Sequence, residues 1–436
     1  MAEPSKDVTH ESAEHKKQKF DLRRAHRAAG TPKRTKRKHH HKRHRKHRRG
    51  GSLSKKSPSA RVDTVHNTDD KVLDKSHHFT IHRATSLFRK YNEEPVKIPE
   101  DSRPIKILSI DGGGSRGVVA LECLIALEEE LQSKGLELWQ AFDVVVGTSI
   151  GGCIAMMIGL LHMTAVEAQT FLYHLIPVAF PLKKYKVYKQ MFRPSLYSTT
   201  VFIEFLENEL FSHKIDNYTR EKTTMKTFGS KVSAPKVFVT SVNDKTDEVV
   251  LIRSYSKPEK SPFLDLCDVP ITTAALATSA APTYFPAVEL TDPETKDTYR
   301  LVDGAMRANN PTDLAVTEAN LLFPNRQLGL VLSVGTGEFN TEPNAKVRKG
   351  WKWILRMPDI ISDVKHTAKF MDVLAAQLGF ENVRWQPILE EQLVLDTCDV
   401  PRLKNAMKKV ESWMGIDDKA KIVAEKIAQL HFSKSK

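Results

Sequence analysis

From Val144 to Val166 the chain runs for 23 residues without a single Asp, Glu, Lys or Arg. Length alone would let such a run cross a bilayer as one helix. Its internal order argues otherwise. The β-branched triplet Val144-Val-Val146 is followed by Gly147-Thr-Ser-Ile-Gly-Gly152 and then by Ile154-Ala-Met-Met-Ile-Gly-Leu-Leu161. Glycines at that density break a spanning helix and suit a sharp reversal. The run is expected to be a buried strand, a tight turn and a buried helix, and such a unit needs protein layers on both sides.

A similar unit stands upstream. Ile105–Ile110 reads as a strand, Asp111–Gly117 as a glycine-rich turn, and Val118–Ser133 as a helix with Val119, Leu121, Leu124, Leu127 and Leu131 on one buried face. Phe142–Val146 is the strand of the second unit, and more strands are expected at Lys236–Val242, Val249–Ser254, Arg300–Val302 and Leu328–Val334. Beyond about residue 345 the pattern turns helical. Asp363–Leu378 is the clearest case, with a stripe through Val364, Phe370, Val373, Leu374 and Leu378, and Ile422–Leu430 is a second. Alternating strands and helices predict a three-layer α/β/α architecture around a mostly parallel sheet.

Charge sets the outer boundaries. The net formal charge is +14, yet residues 1–62 alone hold 21 Lys/Arg against 5 Asp/Glu, a net of +16, which leaves −2 for the remainder. A segment centred on His39-His-His-Lys-Arg-His-Arg-Lys-His-Arg-Arg49 cannot bury enough apolar surface to fold and is expected to be disordered. The division is a basic tail and linker over 1–75, a lead-in over 76–103 with a short helix near Ala84–Tyr91, an α/β domain over 104–345, and a helical extension packed on it over 346–436. The first 30 residues lack the apolar stretch of a secretory signal. Cys123, Cys153, Cys267 and Cys398 are widely spaced with no C-x-x-C pair, so reduced thiols in an intracellular protein are expected, with no metal site and no cofactor.

Three short motifs carry chemistry. Gly147-Thr-Ser149-Ile-Gly151 matches G-x-S-x-G at a strand-to-helix junction, where the serine sits on a strained turn with its hydroxyl exposed. An ordinary strand–helix turn would read the same way. Asp111-Gly112-Gly113-Gly114-Ser115-Arg116-Gly117 also follows a strand and opens a helix, so its backbone N–H groups can face an anion. A dinucleotide site would need an acidic residue ending a second strand about 20 residues on. Here that stretch is Glu128-Glu-Glu130, inside the first helix, and no Lys-Ser/Thr follows for a phosphate loop. An oxyanion hole fits. Leu301-Val-Asp303-Gly304-Ala305 places a carboxylate directly after a strand, where it could deprotonate a hydroxyl, or where a plain hairpin could turn.

In this order and spacing, with Ser149 standing 38 residues after Asp111, the chain resembles the patatin-like phospholipases over about residues 104–340. Members carry D-G-G-G-x-R-G, then G-x-S-x-G, then D-G-A or D-G-G, and Ala277–Phe285 and Ser333–Gly337 add to the likeness. The resemblance implies a patatin-like three-layer fold and a Ser149 nucleophile with Asp303 as its base. It places the oxyanion hole at Gly112, Gly113, Gly114, Arg116 and Gly117, with Gly147 and Gly151 flanking the nucleophile and Gly304 and Ala305 completing the acid motif. It implies calcium-independent hydrolysis of glycerolipid acyl esters at a membrane or lipid droplet.

Rival readings remain open at this point. Ser149, Asp303 and His366 occur in the chain order of an α/β-hydrolase triad. Arg116 could also meet a phosphate head group or simply face solvent. The tail could hold residues 1–62 against an anionic membrane, direct nuclear import or only solubilise. Lys349-Gly-Trp-Lys-Trp-Ile-Leu-Arg356 could touch a membrane interface or bury its tryptophans. A catalytically silent basic scaffold is the non-enzymatic alternative, but the body lacks interleaved aromatic and basic residues, so nucleic acid is not expected as a partner. A cytoplasmic protein with peripheral membrane association is the expected setting.

Overall fold

The computed structural model describes residues 103–433, apart from 182–194, 232–234, 267, 293–294, 340–363 and 392. The basic tail, the lead-in helix near Ala84–Tyr91, the tryptophan segment 349–356 and Cys267 lie outside the described residues.

The strands are β1 (Ile105–Ile110), β2 (Val144–Thr148), β3 (Lys236–Asn243), β4 (Glu248–Arg253), β5 (Leu264–Asp265), β6 (Val288–Thr291), β7 (Thr298–Asp303), β8 (Leu328–Val334) and β9 (Glu381–Trp385). They form one sheet in the order β9-β8-β1-β2-β3-β4-β5. From β9 to β3 all neighbours are parallel, β4 is antiparallel to β3, and the β6–β7 hairpin joins β3 through β7. Every residue of β1 and β2 is buried, as the uncharged run predicts for strands covered on both faces. Lys106 is the one cation within β1, and Asp143 answers it at 3.0 Å.

Strand alternation divides the core into two. Leu108 and Ile110 face α1 (Gly117–Gln132), α2 (Ile150–Gly159), α3 (Ala165–Ala179), α4 (Thr199–Leu206) and α5 (Ile271–Thr278), together with the C-terminal α8 (Val400–Gly415) and α9 (Lys419–Phe432). Ile105, Ile107, Val144 and Val146 face α6 (Thr312–Leu322) and α7 (Lys365–Leu378). This is the three-layer arrangement with a central mostly parallel sheet. The uncharged run resolves into β2 and the ten-residue α2, and among the described residues no helix is long and apolar enough to cross a membrane.

Two expectations change in detail. The buried face of α7 is Met371, Leu374 and Ala375, whereas Val373 is 57% exposed, because the helix presents only one narrow stripe to the sheet. The C-terminal stretch is also not wholly helical. Glu381-Asn-Val-Arg-Trp385 is a strand that extends the sheet beyond β8, and its weak apolar content concealed it.

Candidate active site

β2 and β7 meet end to end along one edge of β3. β2 runs parallel to β3 and ends with Thr148 opposite Thr240, while β7 runs antiparallel and ends with Asp303 opposite Ser241. Adjacent residues of one strand therefore hold the ends of two others, and Ser149 follows directly after Thr148. The junction is pinned by a 2.6 Å hydrogen bond between the Thr148 and Thr240 hydroxyls and by Ser241 Oγ donating to the Val302 carbonyl at 2.7 Å.

Ser149 has φ 56° and ψ −127°, a conformation L-residues avoid, at a cost of order 1–3 kcal/mol. Its N–H donates to Thr278 Oγ1 at 2.9 Å, and its carbonyl accepts the Cys153 N–H at 3.1 Å as α2 begins. The turn is tight enough to require both flanking glycines. A Cβ on Gly147 would fall on the Gly151 carbonyl, and one on Gly151 would fall on the carbonyls of Ile110 and Asp111.

Asp303 is 2% exposed, and its Oδ1 accepts the Ala305 N–H at 2.8 Å. The strand ends bring Ser149 and this carboxyl to one point along β3. Burial pushes the Asp303 pKa from 3.8 up to about 7, with the Ala305 amide and the Ser149 hydroxyl opposing the shift. A carboxyl so tuned can exchange a proton with a hydroxyl near neutral pH.

The glycine-rich loop lies beside this pair, since a Cβ built on Gly112 would stand 3.2 Å from Ser149 Cβ. Most of its backbone donors are already engaged. Asp111 N–H bonds to Val334 O at 3.0 Å, Gly112 N–H to Asn309 O at 3.1 Å, Ser115 N–H to Leu395 O at 2.7 Å, and Arg116 N–H to Gly113 O at 3.1 Å. Gly117 N–H bonds to Gly114 O. The N–H groups of Gly113 and Gly114 have no partner among the described residues. Gly114 has φ +57°, and a Cβ there would collide with the Leu395 carbonyl.

Of the residues singled out in the sequence, Ser149, Asp303, Gly112, Gly147, Gly151, Gly304 and Ala305 converge on this spot. The buried Arg116 side chain lies over the Phe339 ring, 5.6 Å from its centroid. His366 is exposed on the first turn of α7. Among the described residues no cluster of His, Cys, Asp and Glu is arranged to hold a metal ion. Sequence reasoning did not assign roles to Thr278, Asn309, Thr336 or Arg384. Thr278 and Thr336 stand within the stretches 277–285 and 333–337 that carry the family likeness, so a signal existed for them, whereas Arg384 sits in no motif.

A sequence model of the patatin-like phospholipase family matches residues 108–316. Patatin-like protein 2 of Arabidopsis thaliana is 32% identical over 292 residues, which cover 59% of this chain and 67% of that protein. Calcium-independent phospholipase A2-gamma of Mus musculus is 30% identical over 356 residues, which cover 77% of this chain and 41% of that protein. The chain thus spans about two fifths of the mouse protein's length. Human GIVD cytosolic phospholipase A2 is similar with a TM-score of 0.30 at 13% identity, covering 60% of this chain and 47% of that one.

Proposed function

Because the chain belongs to the patatin-like phospholipase family, we propose that it hydrolyses fatty-acyl ester bonds of phospholipids or related glycerolipids with Ser149 as nucleophile and Asp303 as base. The observation that carries this reading is the meeting of two strand ends on consecutive residues of β3, which sets Ser149 beside a buried Asp303 whose pKa burial raises to about 7. Asp303 takes the hydroxyl proton as Ser149 Oγ attacks the ester carbonyl. The oxyanion is received by the N–H groups of Gly113 and Gly114. Collapse of the tetrahedral intermediate expels the lipid alcohol, which leaves with the proton from Asp303. Water, deprotonated by the same carboxylate, then attacks the acyl-serine, and the fatty acid departs as Asp303 returns that proton to Ser149 Oγ.

Helix ends favour the same charge. α1 and α2 begin side by side, because a Cβ on Gly117 would touch the Ile150 side chain at 2.7 Å. Both N-terminal dipoles are positive at the end where the oxyanion develops. The exposed position of His366 and the placing of the buried Asp303 at the strand end next to Ser149 favour the dyad over a triad. The name of the mouse relative and the motif chemistry favour calcium independence, so hydrolysis is expected to survive EDTA.

A serine-directed fluorophosphonate is the direct test. It is expected to label the wild type and not Ser149→Ala, and the variant should lose several orders of magnitude in turnover while remaining folded. Mass spectrometry of products from a defined glycerolipid panel then identifies the ester cleaved. Near-wild-type turnover by purified Ser149→Ala would overturn the reading.

A further inference from the structure

The oxyanion loop is held from the far end of the chain. Arg384 of β9 reaches Asp111, the first residue of the loop, with both terminal nitrogens. Nη1 donates to Oδ1 at 2.8 Å, and Nη2 donates to Oδ2. Nη1 also donates to Ser333 Oγ at 2.7 Å, and Nη2 to Gln386 Oε1 at 2.9 Å. Asp111 is 1% exposed, so this fork is its replacement for water. Strand register explains why the groups meet. Ser109 of β1 stands opposite Ser333 of β8, which stands opposite Arg384 of β9, and Asp111 lies two residues beyond Ser109 on the same sheet face.

The polar row continues inward. Thr312 Oγ1, at the start of α6, contacts Ser109 Oγ at 2.9 Å and Ser333 Oγ at 3.1 Å. Thr336 Oγ1 donates to the Gly112 carbonyl at 3.0 Å, which fixes the peptide plane just ahead of Gly113. Chain downstream of β9 closes over the other end of the loop. Leu395 O accepts the Ser115 N–H at 2.7 Å, and Val394 O accepts the Ser115 hydroxyl at 3.3 Å. Tyr197 OH in turn donates to Asp396 at 2.7 Å. A polar row this deep in a sheet costs stability unless every member is bonded, and its members converge on one loop.

We propose that Arg384 is a positioning residue for the reaction: through Asp111 it holds the Gly113 and Gly114 amides at the oxyanion, which makes the strand Glu381–Trp385 part of the catalytic apparatus. The proposal rests on the Ser149–Asp303 reading above. Loss of the fork leaves nucleophile and base in place and lets the donors drift, and displacement of about 1 Å in such a group can cost on the order of 100-fold in rate. The effect belongs in kcat, because the oxyanion exists only after attack.

The test uses the full-length protein with a p-nitrophenyl ester and with phosphatidylcholine vesicles. Active sites are titrated by fluorophosphonate, so that turnover is expressed per functional site and a partly unfolded fraction cannot mimic the effect. Arg384→Gln is expected to lower kcat per site roughly 10- to 100-fold with KM changed by less than about threefold. The pH midpoint set by Asp303 should stay where it is. Arg384→Lys, which keeps the charge and loses the fork, should recover part of the rate, and Asp111→Asn should match Arg384→Gln. The double variant should be no worse than either single one. If Arg384→Gln does not fold, Arg384→Lys and Asp111→Asn carry the same comparison. Turnover per site within about twofold of wild type, in a background where Ser149→Ala is inactive, overturns this proposal alone. Activity retained by Ser149→Ala overturns instead the reading beneath it.

Discussion

In the proposed mechanism Asp303 has to be dry enough to share a proton with Ser149 and still ionise near neutrality. Burial raises its pKa to about 7, so the base is available above that pH and protonated below it. Accordingly, kcat/KM is expected to fall about tenfold per pH unit on the acid side of 7 and to level off above it. A profile with its midpoint near 4 would mean that a normal carboxyl does the work. Asp303→Asn should be inactive, whereas His366→Ala should keep most of the activity, and an inactive His366→Ala would restore the triad. The same burial has a stability consequence. The folded state binds the Asp303 proton more tightly than the unfolded chain, whose pKa is near 3.8, so stability falls as pH rises between 3.8 and about 7. Asp303→Asn removes that dependence. Between pH 5 and pH 8 it should gain on the order of 2 kcal/mol relative to the wild type, read from denaturant unfolding at the two pH values.

The element that shapes the site is the turn from β2 into α2. Its residues have no room to vary, because Gly147 and Gly151 face each other across it and Gly151 also abuts the end of β1. Gly147→Ala forces the turn open. It should cost on the order of 1–3 kcal/mol and displace Ser149 enough to remove most activity. Gly415 provides the comparison, since nothing stands within 4 Å of its Cβ position and its φ is −70°. Gly415→Ala should be neutral or stabilising by up to about 1 kcal/mol. Equal costs for the two substitutions would show that close backbone approach at the turn is unimportant. The strain at Ser149 is of the same kind, held in place by the Thr278 hydroxyl on its amide and by α2 on its carbonyl.

At the scale of the whole molecule, charge and chemistry are segregated along the chain. Residues 1–62 carry a net of +16, while the residues named at the site and in the row that supports it lie between Ser109 and Asp396. Each Lys or Arg close to an anionic bilayer contributes about 1 kcal/mol, falling off within a Debye length. Deletion of residues 1–62 is therefore expected to spare hydrolysis of a small soluble ester. It should also weaken co-sedimentation with anionic vesicles and flatten the salt dependence of that binding. The five histidines from His39 to His47 should strengthen attachment as pH drops through about 6.5. Equal partitioning of full-length and truncated protein at low salt would remove the membrane role and favour nuclear import or a passive tail.

Local pattern was enough for the parts of this protein whose physics is local. An uncharged run broken by glycines suits a buried strand, turn and helix, and the strands at Ile105, Lys236 and Leu328 begin within a residue of where their apolar content places them. Gly147, Ser149 and Gly151 stand out because turn geometry restricts which residues can stand there, whereas Asp303 stands out only through the order of the motifs and the family resemblance they carry. Tertiary structure alone decided the rest. β9 is short, holds one valine and one tryptophan, and lies at the sheet's edge, so it carries no periodic signal; its register opposite β8 is what aims Arg384 at Asp111. The raised pKa of Asp303 depends on the layers covering it, and its meeting with Ser149 on pairing two strands to consecutive residues of a third. Such long-range register follows from how whole elements bury one another, and a sequence read window by window does not contain it.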